Sequence, residues 1–373
     1  FKKLAARADV HLLIWDSRER VKTFIANYDL GAYASRIHIG SSTYTQATKS
    51  FVKLLYQVSR NRNIRKYVLQ GDDRLTEKLK QLAYYLPLFE LKPDIIHFEF
   101  GTLAKDLTLL KQLSKAKSIV SFRGYDLNFI GLDNPNYYKD VWKEADALHF
   151  LGQNLKQRAI ARGYREDKLE AFISPGIDTG MFRPKQQKIT SAELRIVSVG
   201  RLTWKKGYEY ALLALSRLRD DQVSFKYTII GEGPHRQAIE YTVHELGLQN
   251  HVLLTGNLSQ REIRDRLHKS DVFLHPAISE GFCNAVVEAQ AAGLAVICSD
   301  ADGLKENIED EVTGIVFPKW DVQAIADRLK WVNSNRPQLK VMGEKGVERA
   351  NRLYRIDDQM NAFLELYRKV YES

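Results

Sequence analysis

Residues 279–293 read SEGFCNAVVEAQAAG. The apolar runs DVFLHP (271–276) and AVICSD (295–300) flank them. A polar turn and an apolar helical stretch between two short β-rich runs is the pattern of a strand–helix–strand unit. Gly281, Phe282, Cys283 and Asn284 fall at the turn, and Glu280 and Glu288 stand eight residues apart. A helix starting at this turn points free N–H groups and its positive end into a cleft, a setting that suits a diphosphate or hydroxyl groups. Gly281 lets the backbone approach a ligand closely. If the helix includes both glutamates, Glu288 lies about two turns from Glu280, near the same face. Taken alone, the pair also fits a solvated strand–helix turn.

The same alternation runs through the chain. Apolar runs at 10–16, 35–40, 94–100, 118–124, 147–152 and 169–175 read as strands of the first half. Those at 195–200, 225–231, 251–256, 271–276, 295–300 and 314–318 read as strands of the second. Most are continuously apolar, as in parallel strands covered on both faces. Helical stretches between them predict an α/β protein built of doubly wound parallel sheets. The sequence 176–193, GIDTGMFRPKQQKITSAE, has no long apolar run. It reads as a boundary, giving a first domain over 1–176, a linker over 177–193 and a second domain over 194–352. Residues 353–373 read as one amphipathic helix with Met360, Phe363, Leu364, Tyr367 and Val370 at helical spacing.

With 373 residues, 44% hydrophobic and 27% charged, the chain can bury two sizeable cores. It contains no apolar run long enough for a membrane span, and residues 1–16 lack the pattern of a signal peptide. Two cysteines, Cys283 and Cys298, exclude a disulfide framework and favour a reducing, cytoplasmic setting. The net charge of +10 is uneven: residues 1–180 hold 29 basic and 20 acidic residues, the remainder 27 and 26. No acidic residue falls between Asp29 and Asp72, where Arg36, Lys49, Lys53, Arg60, Arg62, Arg65 and Lys66 lie. In 47–70, Phe51, Leu54, Leu55 and Val58 mark one helical face, and Lys53, Arg60 and Arg62 another. This is a surface helix packed on the sheet, with docking on an anionic membrane surface as its sharper reading. No nucleic-acid-binding module is present, so a nucleic-acid partner is not expected.

Around the glutamates stand GRLTWKKG (200–207), IIGEGP (229–234) and TGNLS (255–259). In this order and spacing they resemble the group 1 glycosyltransferases, glycosyltransferase family 4, of the GT-B fold. The resemblance covers essentially residues 90–373 and implies two Rossmann-like domains facing a cleft. It implies that Arg201 and Lys206 bind the diphosphate of a UDP- or GDP-sugar, two cations stabilising the leaving group without a metal or other cofactor. Glu280 would face the transferred sugar and Glu288 the ribose, with Gly281, Phe282, Cys283 and Asn284 lining the donor site. Backbone at Gly256, Asn257 and Leu258 would hold the nucleobase edge, although Ser259 and Glu262 equally mark a capped loop. Gly231 and Gly233 either let their loop approach the donor or make a plain turn. Gly303, Glu306 and Gly314 are read as structural.

In the first half, KPDIIHFEFG (92–101) and SFRGYDL (121–127) resemble bacterial exopolysaccharide transferases of the colanic-acid type. Many relatives have His where this chain has Arg123. Arg cannot act as a base. Arg123 either binds a phosphate or sugar carboxylate or pairs with Asp126, and both residues are placed on the acceptor and sugar side. His97 reads as a satisfied core histidine. GT-B proteins open with a strand and a Gly-rich turn, but no Gly precedes Gly31. A first central strand is therefore expected to be missing, as in a fragment of a longer protein. The resemblance implies retaining transfer to a glycan or lipid-linked acceptor in cell-surface polysaccharide synthesis, on the inner face of the membrane. The alternatives are a non-catalytic sugar-nucleotide or glycan-binding protein and a sugar-nucleotide epimerase.

Overall fold

The computed structural model describes residues 1–40, 47–69, 74–185 and 192–373. The expected linker residues 186–191 and the side chains of Lys49 and Phe51 lie outside the described residues. The first half contains strands β1 (Leu12–Ile14), β2 (Ile37–Ile39), β3 (Ile95–Phe98), β4 (Lys117–Phe122), β5 (Ala147–Phe150) and β6 (Leu169–Phe172). The second contains β7 (Leu194–Val199), β8 (Phe225–Ile230), β9 (Val252–Leu254), β10 (Val272–His275), β11 (Ala295–Ser299) and β12 (Gly314–Phe317). Each falls within or one residue outside a run read from the sequence.

The second half forms one parallel sheet in the order β9-β8-β7-β10-β11-β12. The order reverses between β7 and β10, as in a dinucleotide-binding fold, and opens a crevice at the strand ends there. Alternate residues explain the unbroken apolar runs. Val272 and Leu274 of β10 and Ala295 and Ile297 of β11 join one core. Phe273, Val296 and Cys298 join the core on the other face. Both cysteines are buried and free.

The first half departs from the expected single doubly wound sheet. Among the described residues β1 and β2 pair only with each other, while β3-β4-β5-β6 form a second parallel sheet in sequential order. Four strands in sequential order have no reversal, so the crevice is set by the second sheet. One face of this four-stranded sheet is covered by a helix from the far end of the chain. Met360, Phe363, Leu366 and Val370 of Ile356–Glu372 pack on Ile119, Ala147 and Ile173. His97 is satisfied in this layer, 2.8 Å from the Tyr367 hydroxyl and 2.7 Å from Ser121 Oγ. Beyond Ser121, His149 Nε2 donates to the Ile173 carbonyl.

The described part of the expected linker is packed rather than free. Ile177 and Phe182 are buried in the second half's core. Ile177 also pairs with Arg355 in a parallel bridge, so the outgoing and returning segments run side by side. Among the described residues no helix is long and apolar enough to cross a membrane.

Candidate functional site

Three loops of the second half meet at the ends of β7, β8 and β9. The Gly200 N–H donates to the Ile230 carbonyl, and the Gly231 N–H to the Gly256 carbonyl. Gly231 has φ +140°, and a Cβ there would lie 2.1 Å from the Gly200 carbonyl oxygen. No other residue fits this approach. The Leu202 N–H donates to the Glu232 carbonyl at 2.9 Å. Arg201 is thereby fixed at the loop tip, exposed and with no side-chain partner among the described residues. Asn257 is exposed and Leu258 half-buried beside it. Ser259 and Glu262 form the expected capping box, Ser259 N–H donating to Glu262 Oε2 at 2.8 Å.

Lys206 and Glu280 form an ion pair whose side chains are each 12% exposed. His275 Nε2 is 3.3 Å from the same Glu280 oxygen. Burial alone would raise the Glu280 carboxyl, but the Lys206 ammonium and the His275 ring outweigh it and bring its pKa down to about 2. Glu280 is therefore a carboxylate at any physiological pH. Ligand atoms of His275, Glu280 and Cys283 lie within 4.8 Å of one another, a set that could hold a borderline cation. The Lys206 ammonium already occupies the carboxylate, which works against a second cation there.

The helix begins only at Asn284, so Glu280 lies in the preceding loop and the two glutamates do not share a helical face. This corrects the two-turn spacing drawn from the sequence. A hydrogen bond from the Cys283 N–H to Asn307 Oδ1 (3.1 Å) and one from the Gly303 N–H to the Glu280 carbonyl (3.0 Å) hold the loop open. Glu288 sits within the helix Asn284–Ala291, and its side chain has no hydrogen-bond or ion-pair partner among the described residues. Burial alone pushes its carboxyl up to about 7.

A cavity of about 300 Å³ separates the halves. Lys205, Ser279, Glu280, Gly281, Phe282 and Asn284 line it from the second half; Arg123, Tyr125, Asn128 and Phe129 are among its first-half lining. The halves touch where Gly124 faces Gly281: a Cβ on Gly124 would lie 2.8 Å from the Gly281 nitrogen.

The first-half residues differ from expectation. Asp126 is fully buried, and its carboxylate accepts the N–H groups of Thr102 (3.1 Å) and Arg123 (2.9 Å). It secures the turn and does not face the cavity. The Arg123 guanidinium pairs with Glu99, at 2.5 Å from Oε2, rather than with the Asp126 carboxylate. Glu306, read as structural, bridges the halves by accepting the N–H groups of Gln153 and Asn154. Sequence reading missed Lys205 and the exposed Trp204, whose signal was their place inside GRLTWKKG.

A parallel sheet with a strand reversal, its Gly-rich loops facing a second α/β body across a cavity, defines the GT-B class. Residues 182–349 match the family model for glycosyl transferases group 1. The chain is 32% identical over 241 residues to the amylovoran biosynthesis glycosyltransferase AmsK of Erwinia amylovora, covering 62% of this chain and 59% of AmsK. It is 28% identical over 249 residues to WcaL of Escherichia coli, named for colanic acid biosynthesis, covering 64% and 61%. In each case the match spans about three-fifths of the relative's length. The fold superposes on the Anabaena protein HepE, solved with UDP, with TM-score 0.67 at 15% identity, over 85% of this chain and 96% of HepE. Residues 182–349, somewhat under half of the chain, are thus similar to the group 1 glycosyl transferases.

Proposed function

We propose that this chain is a retaining hexosyltransferase that moves a sugar from UDP or GDP to a glycan or lipid-linked acceptor in cell-surface polysaccharide synthesis. The observation that carries the reading is the cation arrangement beside the cavity: Lys206 is ion-paired with Glu280, which lines it, and Arg201 lies near enough to act on the charge of Lys206. Arg201 is exposed and unpaired, while Lys206 is anchored on Glu280 beside the start of the helix Asn284–Ala291. A donor diphosphate placed there meets two cations and free helical N–H groups. The bond from the anomeric carbon to the diphosphate oxygen breaks as the acceptor oxygen attacks on the same face. The acceptor proton passes to the departing oxygen, so no side-chain nucleophile is needed. Glu280 faces the transferred sugar, Glu288 accepts from the ribose, and the backbone at Gly256 to Leu258 meets the base. The names of AmsK and WcaL, and the UDP bound to HepE, support the substrate class.

The reaction is expected to need no metal, because Lys206 and Arg201 supply the positive charge. The test is transfer from a panel of labelled UDP- and GDP-sugars to extracted lipid and glycan acceptors, with and without EDTA. Transfer that persists in EDTA supports the proposal. Loss of transfer restored by Mg²⁺ rejects the metal-free part. Nucleotide binding without transfer favours a binding protein, and donor conversion without acceptor favours an epimerase.

A second observation favours work at the inner face of the membrane. Val52, Leu55, Tyr56 and Leu69 are exposed on the helices Ala47–Arg60 and Arg62–Leu69. Arg60, Arg62, Arg65 and Lys66 are exposed among them. Apolar groups set in positive charge suit an anionic lipid surface.

A further inference from the structure

The donor reading leaves part of the cavity unused. Tyr125 and Phe129 from the first half and Lys205 from the second line it, and Trp204 stands beside Phe129. Tyr125 and Trp204 are 52% and 50% exposed. Phe129 and Trp204 meet edge to face across the cleft, with ring centroids 5.7 Å apart. Lys205 Nζ lies 5.3 Å from the centre of the Phe129 ring. It has no ion pair or hydrogen bond among the described residues, and burial lowers its pKa. A half-buried cation without an anion is costly unless a ligand brings one.

We propose that Tyr125, Phe129, Trp204 and Lys205 form the acceptor subsite, and that it takes a sugar ring bearing or attached to an anionic group. This rests on the glycosyltransferase reading. A pyranose has an apolar face of C–H groups that covers an aromatic ring while its hydroxyls stay in water. Lys205, beside that ring, then meets a carboxylate on the sugar or a phosphate at its anomeric end. The placement relative to the donor is fixed. Trp204 and Lys205 sit in the turn Trp204–Lys206, closed by the Gly207 N–H to the Trp204 carbonyl at 3.1 Å. The Lys205 carbonyl accepts the Ile278 N–H at 2.7 Å, tying the turn to the loop that carries Glu280. An acceptor on the rim is thus held at a constant offset from Arg201, Lys206 and Glu280, which is what positions a hydroxyl for attack. Because the rings come from both halves, the acceptor also bridges them.

The test uses the whole chain. Calorimetry first measures UDP and GDP. With the tighter nucleotide present, three probes are titrated: methyl β-glucoside, methyl β-glucuronide and a geranyl diphosphate-linked glucose. At least one anionic probe is expected to bind about fivefold or more tighter than the neutral glucoside. Trp204→Ala and Phe129→Ala should each weaken that probe about fivefold or more. Lys205→Met should remove the anionic preference and leave the neutral probe unchanged. The tighter anionic probe tells carboxylate from diphosphate recognition. Equal binding of all three probes, no binding of any, or wild-type binding by all three variants overturns the subsite. Absence of both UDP and GDP binding overturns the glycosyltransferase reading itself, whereas nucleotide binding with unresponsive probes overturns the subsite alone.

Discussion

Lys206 rests its ammonium on the Glu280 carboxylate, and each side chain is almost closed off from solvent. Arg201, from the same sequence motif, is exposed and free. The two proposed diphosphate cations therefore predict different mutant behaviour. Lys206→Ala strands a buried carboxylate and should lower stability by about 3 kcal/mol, besides reducing turnover. Arg201→Ala should leave stability within about 0.5 kcal/mol while costing roughly 2–4 kcal/mol of transition-state stabilisation. Thermal melts beside initial rates at saturating donor and acceptor separate the effects. Wild-type rates in both variants would remove the pair from the mechanism.

The two glutamates should separate in the same way. Glu280 lines the cavity and Glu288 does not. Glu288→Gln is expected to weaken binding of the bare nucleoside diphosphate. Glu280→Gln should leave that affinity nearly unchanged and lower kcat, because its contact with the transferred sugar tightens in the transition state. Calorimetry and steady-state kinetics on both variants check this, and the opposite pattern would exchange their roles.

Glu288 also predicts a proton signature. Burial holds its carboxyl at about 7, above the ordinary value of 4.5. The folded state therefore carries a penalty that grows as pH rises from about 4.5 to 7, and Glu288→Gln should stabilise the protein at pH 8 but not at pH 4. A ribose hydroxyl donating to Glu288 favours the ionised form and lowers its pKa. Nucleotide binding near pH 7 should then release a proton, and affinity should rise between pH 5 and 8. Titrations in buffers of different ionisation enthalpy measure the release. No release in the wild type, or equal release in Glu288→Gln, contradicts the contact.

The twelve strands among the described residues were legible as short apolar runs, most clearly in the central strands whose residues feed two cores, as Val272, Phe273 and Leu274 do. The need for glycine at 231 and 281 was legible, but the close approaches there are made by the backbone of Gly200 and Gly124 and not by the ligand expected from the sequence. The split of the first sheet was not legible, since apolar runs carry no record of which strands pair. Nor were the partners of charged side chains. Arg123 meets Glu99 and not the Asp126 carboxylate because Asp126 is consumed by backbone N–H groups, a competition that sequence spacing does not show. Glu280 and Glu288 were given a shared helical face because spacing does not reveal that Asn307 and Gly303 hold the turn out of the helix.

The basic helices give a prediction outside the cleft. Purified protein should bind vesicles containing phosphatidylglycerol and leave them as salt rises, since exposed charge attraction is screened over roughly 8–10 Å near physiological ionic strength. Leu55→Ser with Tyr56→Ser should weaken binding with little change in salt dependence, while Arg62→Gln with Lys66→Gln should flatten that dependence. Equal sedimentation with neutral and anionic vesicles rejects the electrostatic part.

Glu306 should control how the two halves meet. Its carboxylate accepts the N–H groups of Gln153 and Asn154 at 2.9 and 2.6 Å, so a side chain of the second half caps the helix Gln153–Ala161 of the first. Nearby, Asp302 holds Arg158 at 2.8 Å and Asn128 at 3.0 Å. The same loop grips the turn that carries Glu280 through Gly303 and Asn307. Closure and the geometry of the proposed donor site are thus carried by one segment. Glu306→Ala removes a helix cap worth about 1–2 kcal/mol and should open the cleft. Glu306→Gln keeps an acceptor oxygen and should retain most of the closure. Gly152→Ala offers a second probe, because its Cβ would lie 2.0 Å from Glu306 Oε2 and push that carboxylate off the two N–H groups it caps. Small-angle scattering with saturating nucleotide should give a larger radius of gyration for Glu306→Ala and Gly152→Ala than for wild type. Turnover in both should fall about tenfold or more, as expected when a reacting pair is displaced by about 1 Å. If both variants keep the wild-type radius and rate, the contact is incidental to closure.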